Sequence, residues 1–309
     1  MERPDTGEIL LGGEILSSTK AGQFRPPEKR GMGMVFQSYA VWPNMTVGEN
    51  VAYPLKVRRV PKAQIKEKVK RILALVGLLE LEDRPATLLS GGQQQRVAMA
   101  RALVFDPKIL LLDEPLSNLD FKLRESMRVE LRTLQERTGV TTIYVTHDQT
   151  EAMALSDRIC LMIGGKIEQI GNPVEIYNEP KTKFVVDFIG RVNFITGSIE
   201  EIASGKCIVS ASKVAGLKVQ CKVPAGDAKK GDEVVLSIRV ENVTLHRELH
   251  EQKPNVSVGT IINAQFLGDH WGYVLKTGEE VIRVTLPSTQ RFETGDKVYM
   301  ELDPQAVQA

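Results

Sequence analysis

The run Ile109-Leu110-Leu111-Leu112-Asp113-Glu114 limits the fold more than any other stretch, with four aliphatic residues in a row and then two carboxylates. An unbroken apolar run of this length, bounded by charge, reads as a strand buried on both faces. A helical pattern follows from about Leu123 to Arg137, with Leu123, Met127, Leu131 and Leu134 at helical spacing and Gly139 as the stop. A β-branched run, Val140 to Thr146, comes next. Strand, helix and strand in this order form a βαβ unit, so the sheet is expected to be parallel and covered on both faces.

Other elements extend this α/β pattern. Glu8 to Leu11 and Gly33 to Phe36 read as short strands. Pro61 to Val76 is an amphipathic helix with Ile65, Val69, Ile72, Leu73 and Val76 on one face and Gly77 after it. Gln93 to Val104 is a second helix, and Arg158 to Ile170 turns through Gly164-Gly165 as a hairpin does. Beyond Pro173, Pro180 and a short helical pattern, the character changes. From Arg191 onward, β-rich runs recur at Phe194–Ile199, Cys207–Ser210, Leu217–Val223, Val234–Val240, Val258–Phe266, Tyr273–Lys276, Val281–Leu286 and Val298–Leu302. Gly-Asp pairs at 226–227, 231–232, 268–269 and 295–296 punctuate them, as in a small barrel or sandwich. A chain of 309 residues fits two domains. The boundary is placed near Gly190, giving domains 1–190 and 191–309.

Charge and composition narrow the function. Forty basic residues face 39 acidic ones, so no net field draws the chain to nucleic acid or anionic lipid. No apolar run approaches the roughly 18 residues that cross a bilayer. Met1 is followed by Glu-Arg-Pro-Asp-Thr-Gly, without the apolar region of a signal peptide. Cys160, Cys207 and Cys221 are widely spaced and form no C-x-x-C, so reduced thiols are expected rather than zinc or a disulfide framework.

The chemistry gathers at strand ends, where α/β sheets bind ligands. Asp113 there would hold Mg²⁺, and Glu114 would accept a proton from an attacking water or orient it. The solvated end of a strand carries the same two residues. His147 ends the next strand, beside the acids, where it can touch a γ-phosphate; a lone His is also often structural or merely exposed. Gln37 follows a third strand and offers a neutral amide to Mg²⁺ or to the water, unless it is a plain loop residue. Ser90-Gly91-Gly92-Gln93 opens a helix. Ser90 alone could be an N-cap, but the glycine pair lets an anion approach the free N–H groups.

Taken together, these residues resemble an ATP-binding-cassette (ABC) ATPase. Leu89-Ser90-Gly91-Gly92-Gln93 is similar to the signature motif, Ile109 to Asp113 to the Walker B strand, and Glu114 to the catalytic glutamate. Ser117-Asn118-Leu119-Asp120 is similar to the D-loop, His147 to the switch histidine and Gln37 to the Q-loop glutamine. Pro43 to Val51 resembles the stretch after the Q-loop of importer subunits. Gly231 to Val234 and Ser237 to Glu241 resemble the regulatory OB-type (TOBE) domain of maltose-, polyamine- and ferric-ion-type importers. The resemblance implies a P-loop NTPase-like (RecA-type) α/β domain with a helical subdomain, truncated at its N-terminus, then an all-β domain. It implies ATP and Mg²⁺ as ligands, Glu114 and His147 as catalytic residues, and Asp113 with Gln37 at the metal. Gln37 and Asp120 would also meet ATP, and Ser90, Gly91, Gly92 and Gln93 would meet the ATP of a partner subunit. The implied partners are permease membrane subunits, a second ATPase subunit in a homo- or heterodimer, and a solute-binding protein; nucleic acid is not among them. The implied place is the cytoplasmic face of the cell membrane.

One part of that pattern is missing: no G-x-x-x-x-G-K-[ST] occurs among the 309 residues. Gly7 and Gly12 have the right separation but Gly13 follows, and Gly226 and Gly231 are followed by Asp232, so neither pair has the phosphate-neutralising lysine. Glu2 to Ile9 resembles the segment after the P-loop helix, which places the P-loop and the adenine-stacking aromatic upstream of Met1. The expectation is weak ATP binding in cis. The P-loop strand is expected beside the Walker B strand, so its loss should leave open strand edges and poor stability. The rivals are a regulatory subunit offering its signature motif in trans, a small-ligand sensor acting through the C-terminal barrel, and a DNA-associated ABC ATPase. Neutral charge and the lack of long heptads count against the last. Trp271 could bind a regulator or be a core or interface aromatic.

Overall fold

The computed structural model describes residues 3–203, 205–214, 216–224, 227–248 and 254–309; Glu2 and Gly226, named above, lie outside them. The chain divides into two compact units, Met1–Ile159 with Gly171–Pro173, and Cys160–Ile170 with Val174–Ala309.

The first unit opens with an antiparallel sheet of β1 (Glu8–Leu11), β2 (Glu14–Ser18) and β3 (Gln23–Phe24). Gly12 and Gly13, with φ of 56° and 81°, supply the left-handed pair that a two-residue hairpin turn needs. A parallel sheet follows in the order β4 (Met32–Val35), β5 (Ile109–Asp113), β6 (Thr141–Val145). Its register pairs Val35 with Leu112 and Asp113 with Val145, so the three strands end together.

The α-helices of this unit among the described residues are α1 (Val47–Val57), α2 (Lys62–Leu75), α3 (Gly91–Leu103), α4 (Phe121–Thr138) and α5 (Gln149–Leu155). α2 through α4 follow the apolar periodicity, and α4 stops at Gly139, which takes the left-handed C-cap conformation at φ 62°. α1 was not marked by periodicity, and Pro54 within it reads as a breaker. A capping box sets it nevertheless: Thr46 Oγ1 accepts from Glu49 N–H, and Glu49 accepts from Thr46 N–H. The core joins Val35, Leu110 and Leu112 of the sheet to Val51, Leu73, Val97, Met127 and Leu131 of the helices. Contact is closest at Gly33, where a Cβ would lie 2.5 Å from the Ala102 carbonyl oxygen of α3.

Two expectations are corrected here. β5, the Walker B-like strand, is hydrogen-bonded on one edge to β4 and on the other to β6. A strand has only two edges, so no further strand can lie beside it, and a P-loop strand would have to join an outer edge. Nor is the sheet covered on both faces throughout. β4 and β5 are largely buried, but Ile143 and Val145 on β6 are each 52% exposed, and among the described residues β6 has no neighbour on its outer edge.

The second unit contains all but the end residues of the hairpin of β7 (Ile159–Ile163) and β8 (Lys166–Gly171), turning through Gly164-Gly165 as the sequence indicated, and the short helices α6 (Pro173–Asn178), from Val174 on, and α7 (Lys183–Phe188). Among the described residues nine strands follow: β9 (Val192–Ala203), β10 (Lys206–Ala211), β11 (Lys218–Lys222), β12 (Glu233–Arg239), β13 (Val243–His246), β14 (Val256–Phe266), β15 (His270–Thr277), β16 (Glu280–Pro287) and β17 (Lys297–Leu302). They form antiparallel sheets in the orders β11-β10-β9-β12 and β13-β17-β14-β15-β16. The sheets share a core that includes Ile195, Val209 and Leu236 of one and Val243, Leu275 and Met300 of the other. Asn193 links them: its Nδ2 donates to the Arg283 carbonyl and its Oδ1 accepts from the Arg283 N–H, each at 2.8 Å. Arg239 is buried and ties the short helices to β12, donating to the carbonyls of Ile189 and Tyr177 and stacking over the Tyr177 ring.

Gly33 yields a test of the α3–β4 packing. Gly33→Ala is expected to cost about 2 kcal/mol, because the obstructing atom is helix backbone and cannot rotate away. Urea denaturation of the two proteins measures it, and an unchanged midpoint contradicts the close approach.

Candidate functional site

The three parallel strands end in Val35, Asp113 and Val145, and the residues just beyond them meet. Glu114 follows β5 with φ at +43°, a left-handed conformation that a glutamate rarely adopts. Its N–H donates to the Val145 carbonyl at 2.9 Å, and its carbonyl accepts from Ser117 Oγ at 2.9 Å, so both sides of the turn are held. The turn brings the carboxylate between two loops. Gln37 Nε2 donates to Glu114 Oε2 at 3.0 Å, and His147 Nδ1 lies 2.9 Å from Glu114 Oε1. Asn118 Nδ2 donates to the Gln37 carbonyl at 2.9 Å and closes the ring of contacts. The side chain of His147 is 72% exposed and that of Glu114 28%, so the cluster opens to solvent. The Glu114 hydrogen bond and charge stabilise the imidazolium and raise the His147 pKa above its ordinary value.

Asp113 is the last residue of β5 and exposed; among the described residues its carboxylate has no hydrogen-bond or ion-pair partner. No group of three or more His, Cys, Asp or Glu side chains is placed to hold a metal among the described residues. One free carboxylate matches what Mg²⁺ takes from a protein when substrate phosphates and water supply the other ligands.

Two supporting residues were not visible as functional in the sequence. Glu151 of α5 is buried and accepts from Tyr144 Oη and Thr146 Oγ1, both at 2.8 Å, on the strand that leads into His147. Asp148 caps the same helix, accepting from Thr150 N–H at 2.7 Å. The spacing of Asp148 and Glu151 is that of a capping box, but the glutamate is used on the strand instead. Burial and the Glu151 carboxylate push the Tyr144 phenol above its ordinary range, so it remains a donor. Arg101 of α3 is the second. Its guanidinium donates to the carbonyls of Ala40 (2.6 Å) and Tyr39 (2.9 Å) and lies over the Trp42 ring. Tyr39 and Ala40 have φ of 40° and 48°, so a buried cation holds the strained backbone just after Gln37.

The helix-opening motif lies apart from the Glu114 cluster in hydrogen bonding. Ser90 caps α3 in a capping box: its Oγ accepts from Gln93 N–H, and Gln93 Oε1 accepts from Ser90 N–H at 3.0 Å. Gly92 answers to packing, since a Cβ there would lie 3.1 Å from Leu123 Cδ1 of α4. At Gly91 the nearest neighbours of a Cβ are Leu119 at 3.5 Å and the Tyr39 hydroxyl at 3.9 Å, which leaves its N–H at a helix start. Asp120 caps α4 through a hydrogen bond from Leu123 N–H at 3.1 Å.

Residues 1–117 match the family described as ABC transporter, and residues 236–309 match the TOBE domain. The spermidine/putrescine import ATP-binding protein PotA of Mesorhizobium japonicum is 43% identical over 310 residues, covering 99% of this chain and 81% of that protein. The protein of the same description from Chromobacterium violaceum is 45% identical, covering 91% of this chain and 76% of its own length. The trehalose/maltose import ATP-binding protein MalK of Thermococcus litoralis is 45% identical, covering 79% of this chain and 65% of its own length.

The Glu114–His147 contact sets a pH dependence. A raised His147 pKa means that the contact adds stability below the ordinary histidine pKa and loses it as pH rises through the folded value. Titration of the His147 ring by NMR is expected above the ordinary value of 6.5. Glu114→Gln should bring it down, and an unmoved titration would mean that the two side chains do not pair in solution.

Proposed function

The chain belongs to the ATP-binding subunits of ABC importers, a family of ATPases, and from that premise we propose that it energises uptake of a small solute through membrane permease subunits. The observation that carries the reading is the meeting of Gln37, Glu114 and His147 at three adjacent strand ends. There Glu114 takes the proton of the attacking water or orients it, and His147, held by its pairing with Glu114, senses the γ-phosphate. Asp113 and the Gln37 amide hold Mg²⁺, which neutralises phosphate charge when bound. The loop after Gln37, pinned by Arg101, passes the state of the site to the permease through the helical region from Ser38 to about Leu103.

The remaining motif serves a second ATPase subunit. Free N–H groups at Gly91, with Ser90, Gly92 and Gln93, face ATP held by the partner subunit, and Asp120 lies in the loop that lines that contact. The ATPase part ends near Gly190 and the β-rich part after it regulates. No helix among the described residues is long and apolar enough to cross a membrane. By the role of its relatives as import subunits, the chain acts at the cytoplasmic face by attachment to the permease, with a solute-binding protein delivering the cargo. The relatives' names favour polyamine or sugar as the cargo class, and a metal ion is the third candidate.

A second reading rests on one observation: the 309 residues contain no P-loop sequence. On that reading the polypeptide of this sequence binds ATP weakly by itself and acts by offering its signature motif to a subunit that has a P-loop.

Calorimetric titration of the purified polypeptide with ATP is expected to show binding weaker than micromolar, and micromolar affinity refutes the weak-binding claim. On the first reading, Glu114→Gln lowers ATP turnover in permease complexes that also contain a P-loop-bearing ATPase subunit. Unchanged turnover would make Glu114 idle and leave the regulatory reading.

A further inference from the structure

Two of the three cysteines, far apart in sequence, meet inside the second unit. β10 and β11 pair antiparallel with Cys207 directly opposite Cys221; the Sγ atoms are 3.2 Å apart, and both thiols are free and buried. The ladder bond from Ala211 N–H to the Leu217 carbonyl fixes the phase of this pairing. It makes Cys207 and Cys221 a hydrogen-bonded pair, with Cα atoms about 5.5 Å apart, inside the span a disulfide bridges. No backbone movement is needed to join them.

The same sheet provides a route of access. β11 is an edge strand with β10 on one side. Asn255 clasps its other side: Gln220 N–H donates to Asn255 Oδ1 at 2.8 Å, Asn255 Nδ2 donates to the Gln220 carbonyl at 3.0 Å, and Asn255 N–H donates to the Lys218 carbonyl at 2.7 Å. The clasp reaches no further than Gln220. Past the cysteines, the ladder ends with Lys206 facing Lys222, two like charges directly opposite. Fraying therefore begins at the cysteine end. In the closed state burial pushes the Cys221 thiol up to about 12, so it is inert. In the frayed state water and the two lysines favour the thiolate.

We propose that Cys207 and Cys221 form a reversible disulfide site whose oxidant is a low-molecular-weight disulfide. In the frayed hairpin one cysteine thiolate attacks a sulfur of the oxidant and releases its first thiol, leaving a mixed disulfide. The second cysteine attacks the protein sulfur of that bond, joins Cys207 to Cys221 and releases the second thiol. The protein loses two thiol hydrogens, and the oxidant gains two electrons and two protons. The bond fastens the edge strand to β10 at the end that otherwise frays.

The test uses the full chain carrying Cys160→Ser, which removes the exposed thiol. After incubation of the folded protein with oxidised glutathione, the mass should fall by two hydrogens with no glutathione attached. Trypsin should then release residues 207–213 joined to residues 219–222, and dithiothreitol should separate them. Amide hydrogen exchange in β11 should slow by about tenfold or more. Thiols that stay unreacted while the denatured chain oxidises fully, or a lasting glutathione adduct on one sulfur, would overturn the proposal. In the Cys160→Ser, Cys221→Ser chain β11 exchange should not slow, and slowing there would equally overturn it.

Discussion

The Glu114 carboxylate is the point on which the first unit turns. It bonds to Gln37 beyond β4 and to His147 beyond β6, while its own backbone leaves β5 in a left-handed turn. Three segments far apart in sequence are thus held by one side chain at the open end of a parallel sheet. The arrangement requires the strands to end level, and the register that pairs Asp113 with Val145 provides that. It also requires the turn after β5 to be restrained, and the Val145 and Ser117 hydrogen bonds supply the restraint. A site that depends on a strained residue persists only when its surroundings over-determine it.

The neighbouring loops are held by buried charge in two different ways. Arg101 reaches out of α3 to fix the backbone after Gln37, whereas Glu151 reaches back from α5 to fix the strand before His147. Each buried charge is satisfied by polar groups of the loop or strand it controls, so the cost of burying the charge and the ordering of the loop are the same interaction. Neither residue touches Glu114, yet both of its partners depend on them for position.

Much of this was legible in the residues. The unbroken apolar run ending in Asp113 and Glu114, the Ser90-Gly91-Gly92 helix start and the Gly139 stop each carry a local physical signal, and each element formed where the signal lay. Sheet order carries no such signal. Parallel strands pair through backbone groups common to all residues, so the occupation of both edges of β5 by β4 and β6, which leaves none for a P-loop strand, had to be observed. α1 was obscured by Pro54, although Thr46 and Glu49 spelled its start. Gln93 and Asp120 were read for ligand contact, but their side chains also close helix ends, a use that sequence position alone does not separate from binding. The Cys207–Cys221 meeting arises from register between β10 and β11, which spacing along the chain does not reveal.

Asn193 has a consequence of another kind. Its side-chain amide imitates a strand's backbone, offering one donor and one acceptor to Arg283 across two sheets. Aspartate would lack the donor, leucine would lack both, and glutamine would carry the same groups one methylene too far. Hydrocarbons can stand in for one another around this core, but only an amide of this reach gives Arg283 both a donor and an acceptor.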